Sequence, residues 1–98
     1  MPINYNNSKI YKIITNNSDD IYIGSTCQPL RNRLSKHITN LKLYKNGKGK
    51  YMKSFDVIEQ GNHDIILIEN FSCNDKTDLH RKEREFIDRL DCVNKTKK

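Results

Sequence analysis

Five side chains carry chemistry out of register with their apolar surroundings: Glu83, His37, Arg33, Tyr11 and Tyr22. Leu79, Phe86, Ile87 and Leu90 recur at helical spacing. At roughly 100° per residue, Glu83 falls in the middle of that apolar stripe. Glu85 falls on the opposite face, among Asp78, Arg81, Lys82, Asp88 and Arg89. A carboxylate aimed inward must find a cation, a metal or several donors, or take up a proton. A structural ion pair with a buried arginine meets that need as well as a metal does. His37 lies inside a second stripe, Leu34, Ile38 and Leu41, with Arg33 one turn earlier on its rim. A satisfied core histidine and a snorkelling arginine are the plain readings of these two. Three inward ionisable groups are expensive for so small a core unless they converge on one site.

The elements that must position these groups follow from the pattern. Ile10-Tyr11-Lys12-Ile13-Ile14 is β-branched and aromatic, a strand. Asn16 to Asp20 is a turn cluster, and Ile21-Tyr22-Ile23-Gly24-Ser25 is the returning strand. Tyr11 and Tyr22 share a face if they pair directly or with a shift of two, and a bulge in the turn would separate them. Packing alone also accounts for tyrosines in strands. Gly24 signals a close backbone approach or a bulge. Pro29 opens a helix of about 12–15 residues through Leu30, Leu34, Ile38 and Leu41. Residues 51–59 give a shorter helix through Tyr51, Met52, Phe55 and Ile58. Asp64 to Asn70, with the run Ile65-Ile66-Leu67-Ile68, reads as a strand covered on both faces and interior to the sheet. Thr77 or Asp78 caps a last helix running to about Leu90. The expected fold is α+β in the order β-β-α-α-β-α, a small three-stranded antiparallel sheet flanked by helices. Residues 1–8 are expected to be frayed or lightly docked, and the basic tail from Asn94 to be loosely held at its end.

The chain has 98 residues and a net charge of +6, from 18 Lys+Arg against 12 Asp+Glu. That length fits one domain, residues 1–98. No apolar run approaches the roughly 20 residues of a membrane span, and the first residues lack the blocks of a signal peptide, so an intracellular location is expected. The basic balance points to an acidic partner, with nucleic acid ahead of a membrane surface. Cys27, Cys73 and Cys92 are odd in number and far apart, neither a disulfide framework nor a zinc spacing. Abundant Asn, Ile and Lys, with their A/T-rich codons, lean toward a viral or mobile-element origin, where host cytoplasm or nucleus would be the location.

Lys9-Ile10-Tyr11, then ten residues, then Tyr22-Ile23-Gly24-Ser25-Thr26 resembles the paired motif of the GIY-YIG nuclease superfamily. Leu30-x-x-Arg33-x-x-x-His37 resembles its Arg/His helix, Glu83-Arg84-Glu85-Phe86-Ile87 its metal-binding glutamate, and Cys92-Val93-Asn94-Lys95 its closing Asn motif. The elements come in the family's order over residues 9–95, and they select the Arg33, His37 and Glu83 that the helical faces select. Lys9 stands where the family name has its first glycine. A chain of 98 residues is expected to leave no room for the separate DNA-targeting domain that many relatives carry.

The resemblance implies a metal-dependent DNA endonuclease that hydrolyses a phosphodiester bond to a 5′ phosphate and a 3′ hydroxyl. One Mg²⁺ or Mn²⁺ would be held by Glu83 with water in the remaining positions. Arg33 would neutralise the phosphate, Tyr11 would activate water, and His37 would accept the Tyr11 proton. Tyr22 would hold substrate or water and Asn94 would fix the geometry. Lys9, Lys36, Lys48, Lys50 and Lys53 would track the DNA backbone. A homodimer or a separate targeting protein would supply a second cut or a choice of site. The competing expectation is a basic nucleic-acid-binding module without catalysis, or a structure-selective subunit that needs a partner.

Overall fold

The computed structural model describes residues 5–95. A short 3-10 turn at Tyr5–Asn7 leads into β1 (Lys9–Thr15), β2 (Ile21–Thr26), α1 (Leu30–Lys45), α2 (Ser54–Ile58), β3 (His63–Asn70) and α3 (Lys76–Arg89), and a second 3-10 turn at Val93–Lys95 follows. The β-β-α-α-β-α order is the one expected. The sheet is antiparallel throughout, in the order β2-β1-β3.

β1 is therefore the interior strand, and Ile10, Tyr11 and Ile13 have no exposed surface. This corrects the reading of Asp64–Asn70 as interior. β3 lies on an edge, and Ile66 and Leu67 are 37% and 41% exposed. An uninterrupted apolar run reads as two-sided burial. Here it reflects a one-residue register shift, which leaves Ile68 without a partner on β1. Ile65 feeds the core on one side of the sheet and Ile68 the core on the other.

The two cores make three layers. Tyr11, Ile13, Leu41, Phe55, Val57 and Ile58 fill the space under α1 and α2. Ile10, Ile23, Leu79 and Ile87 fill the space under α3. α1 begins after Pro29, whose carbonyl accepts from the Arg33 amide at 3.2 Å. α2 is shorter than the expected 51–59, because Tyr51 stays 43% exposed and the buried face begins only at Ser54. α3 is capped by Asp75, not Thr77 or Asp78: its carboxylate accepts from the Asp78 amide at 3.0 Å.

The first described residues are docked. Ser8 is buried, its carbonyl accepts from the Phe71 amide at 2.8 Å, and the Tyr5 carbonyl accepts from the Cys73 amide at 3.2 Å. The remainder of the two stretches expected to be loosely held, residues 1–4 and 96–98, lies outside the described residues. No helix among the described residues is long and apolar enough to cross a membrane.

Candidate active site

The β1–β2 register places Tyr11 opposite Gly24 and Tyr22 opposite Ile13. That is the shift of two, so both tyrosines face α1. Gly24 has no side chain because none fits: a Cβ there would overlap the Tyr11 phenol carbon and oxygen. The Tyr11 ring thus lies against the β2 backbone and sends its hydroxyl toward α1.

Two residues of α1, one turn apart, meet that hydroxyl. Arg33 Nε donates to Tyr11 Oη at 3.2 Å, and His37 Nε2 lies 2.8 Å from the same oxygen. His37 is fully buried, and its Nδ1 is 2.9 Å from Ser54 Oγ at the start of α2. In the His37 tautomer protonated on Nδ1, Nε2 accepts the phenol proton and Nδ1–H donates to Ser54; in the other tautomer Nε2–H donates to the phenol oxygen. The Tyr22 ring stands edge-on to His37, centroids 5.5 Å apart.

Burial pushes the Tyr11 phenol above its ordinary value, against the hydrogen bond and charge of Arg33, and the Glu83 charge adds to the rise. Burial likewise raises Tyr22, followed by Tyr11 and Glu83. His37 is lowered from 6.5 to about 4 by burial, then by the Arg33 charge. In the resting site both phenols and the imidazole are neutral at pH 7.

Glu83 arrives from the other layer. Side chains of β2 alternate, so Ser25 faces α3 where Gly24 faces α1. Ser25 Oγ donates to Glu83 Oε1 at 2.5 Å. Glu83 is half-buried and ion-paired to none of the described residues. The buried ion pair with arginine that the sequence left open is not formed. Arg33 and His37 converge on Tyr11 directly, while Glu83 joins them through the end of β2.

Asn94 holds that strand end in place. Its side-chain Oδ1 accepts from Ile23 N at 2.8 Å and its Nδ2 donates to Ile23 O at 2.9 Å. The amide thus substitutes for a neighbouring strand on the free edge of β2. Lys53 Nζ donates to the Asn94 carbonyl at 2.8 Å.

The lysines divide. Lys36, Lys48 and Lys50 are exposed. Lys9 Nζ donates to the Asn7 carbonyl at 2.8 Å, so Lys9 and Lys53 both hold backbone carbonyls. Sequence reasoning missed Ser54 and Ser25 as parts of the site. Ser54 left a signal, a hydroxyl directly preceding the apolar Phe55 in a helical pattern. Ser25 followed the close-approach Gly24.

Among the described residues no group of three or more His, Cys, Asp or Glu side chains could hold a metal ion. A cage made wholly of protein ligands is thereby excluded for those residues. A single carboxylate suits a hard cation that keeps most of its water. Glu83 fits that description, with Oε1 accepting from the Ser25 hydroxyl.

The layering and this cluster at one end of the sheet agree with a nuclease-type domain. Residues 7–97 match the family described as the GIY-YIG catalytic domain, and the chain belongs to that family. The family is one of endonucleases, generally metal-dependent, and implies DNA as the substrate class. No curated protein and no solved structure matches the chain.

Proposed function

We propose that the chain is a DNA endonuclease that hydrolyses phosphodiester bonds at the site built around Tyr11, with one Mg²⁺ or Mn²⁺ held by Glu83. The observation that carries the reading is the Tyr11 hydroxyl, fixed between Arg33 Nε and His37 Nε2 at the end of β2 where Glu83 arrives. A merely structural tyrosine has no use for a guanidinium and an imidazole on the same oxygen.

The residues divide the work. Arg33 is half-buried, so its charge acts on a phosphate through a medium that screens it less than water does. It offers its remaining N–H groups to phosphate oxygens and holds the charge that develops on them. A divalent ion on Glu83 would supply Lewis acidity at the phosphate and at the leaving oxygen. Tyr11 orients the attacking water.

His37 has a narrower part than proton collector. With its basicity lowered to about 4, it is a weak base facing a phenol raised by burial. It acts as the acceptor that fixes the direction of the Tyr11 O–H. The proton leaves Tyr11 only when bound charges bring the phenol down. Arg33 already pulls in that direction. Tyr22 presents its hydroxyl from the same face to water or substrate, and Asn94 keeps Gly24 and Ser25 in register.

The test is nicking of supercoiled plasmid at low salt with Mg²⁺, with Mn²⁺ and with chelator. Metal-dependent nicking by the wild type should fall to background in Glu83→Ala, with DNA binding retained. Equal background in both proteins, on plasmid and on a duplex with an unpaired nucleotide alike, would sink the reading and leave a nucleic-acid-binding module.

A further inference from the structure

Beside this site, on the α3 side of β2, lies a cavity of about 400 Å³. Two of its lining residues belong to the site itself: Ser25, which donates to Glu83, and Arg33, which donates to Tyr11. The rest of the lining serves no part of the hydrolysis. Tyr5 and Leu79 give it an aromatic and an apolar wall, Gln28 an amide, and Lys76 a second cation.

The volume falls in the range of pockets that take small organic ligands, about 300–1,000 Å³. The lining has the parts a nucleotide needs: the cations Arg33 and Lys76, the flat ring of Tyr5 beside the apolar Leu79, and side chains able both to donate and to accept in Gln28, Thr26 and His80. A bare anion would have no use for Tyr5 and Leu79. A paired base could not reach the cavity, because it would have to leave the stack.

We propose that this cavity binds one unpaired nucleotide next to the scissile phosphate, with its base against Tyr5 and Leu79 and its backbone toward Arg33 and Lys76. The assignment rests on the nuclease reading. It adds the feature of the substrate that this cavity would read: a single unpaired base free to leave the duplex, as at a bulge.

Three oligonucleotide duplexes test it: one fully paired, one with a single unpaired nucleotide, and one with an abasic analogue at that position. Binding is read by fluorescence anisotropy in chelator, and cleavage separately with Mg²⁺. The wild type should bind the bulged DNA about tenfold more tightly than the paired DNA, as a base stacked on an aromatic side chain allows. The abasic analogue should lose that preference. So should Tyr5→Leu, with binding of paired DNA unchanged. Lys76→Glu changes an exposed side chain and serves if Tyr5→Leu does not fold. It should weaken bulged DNA more than paired DNA.

Equal affinity for all three DNAs overturns the pocket. A bulge preference that survives both the abasic analogue and the variants overturns it too. The nuclease reading fails separately: the binding preference would appear, but no DNA would be cut with any metal.

Discussion

A single oxygen, the Tyr11 hydroxyl, organises the site, and two substitutions probe how it is held. Gly24→Ala would press a methyl group into the phenol. The ring has no exposed surface, and its oxygen is tied to Arg33 and His37, so it cannot step aside without breaking those bonds. Overpacking of this kind costs about 1–3 kcal/mol. Misplacing a reacting group by about 1 Å costs on the order of 100-fold in rate. Urea unfolding and single-turnover nicking on the same preparation should therefore show a modest loss of stability beside a large loss of activity. Loss of stability without loss of rate would place the chemistry elsewhere. His37 gives a pH signature. Its value is 6.5 unfolded and about 4 folded, so the unfolded chain binds the extra proton between those limits. The neutral imidazole stabilises the fold fully above pH 6.5, and that stabilisation is lost as pH falls toward 4. The loss reaches about 3 kcal/mol. Unfolding midpoints measured from pH 7 to pH 4 should fall more steeply for the wild type than for His37→Gln. Parallel slopes would mean that the imidazole is not held neutral.

At the scale of elements, β2 joins the two layers. Its alternation sends Tyr22 and Gly24 to the α1 side and Ser25 to the α3 side, so a one-residue slip would exchange the partners of Tyr11 and Glu83. β2 is paired along one side only, and the burial of residues on both of its faces already resists that slip. Asn94 supplies the missing hydrogen bonds at Ile23, next to Gly24. Replacing Asn94 by Ala would leave the Ile23 N–H and C=O without their partner at a cost of about 1–3 kcal/mol. The expected result is a lowered unfolding midpoint and loss of nicking. Hydrogen exchange should quicken at Ile23 more than at Ile13 of the central strand. Unchanged exchange at Ile23 would make the Asn94 contact incidental. The hairpin, the three helices and the shared face of the tyrosines were legible in the sequence, because period and turn chemistry are local. The placement of β3 was not. Its apolar run has the same composition whether the strand is central or at an edge, and pairing partners are a long-range choice. Glu83 was legible as an anomaly, but its route to Tyr11 through Ser25 was not. That route depends on which face of β2 meets α3.

Charge is distributed unevenly over the whole molecule, and this decides how DNA can approach. Three of the five cations of α3 stand among carboxylates: Arg81 beside Asp78, Lys82 between Glu69 and Glu85, and Arg84 beside Asp88. From Leu30 to Phe55 there is no acidic residue, while Arg31, Arg33, Lys36, Lys42, Lys45, Lys48, Lys50 and Lys53 fall in that span. Much of the excess behind the net charge of +6 therefore lies on α1 and the loop after it, the element that also carries Arg33. A polyanion drawn to that surface meets the site from the α1 side. Each exposed lysine that neutralises a phosphate adds about one unit to the slope of log affinity against log salt. Lys48→Glu with Lys50→Glu should weaken DNA binding at low salt and flatten the slope by about 2 units. Arg81→Glu with Arg84→Glu makes the same change in net charge on α3 and should flatten it far less. Titration of a labelled duplex at several salt concentrations separates the two. Equal slopes for the two double variants would mean that DNA responds to total charge rather than to the α1 surface.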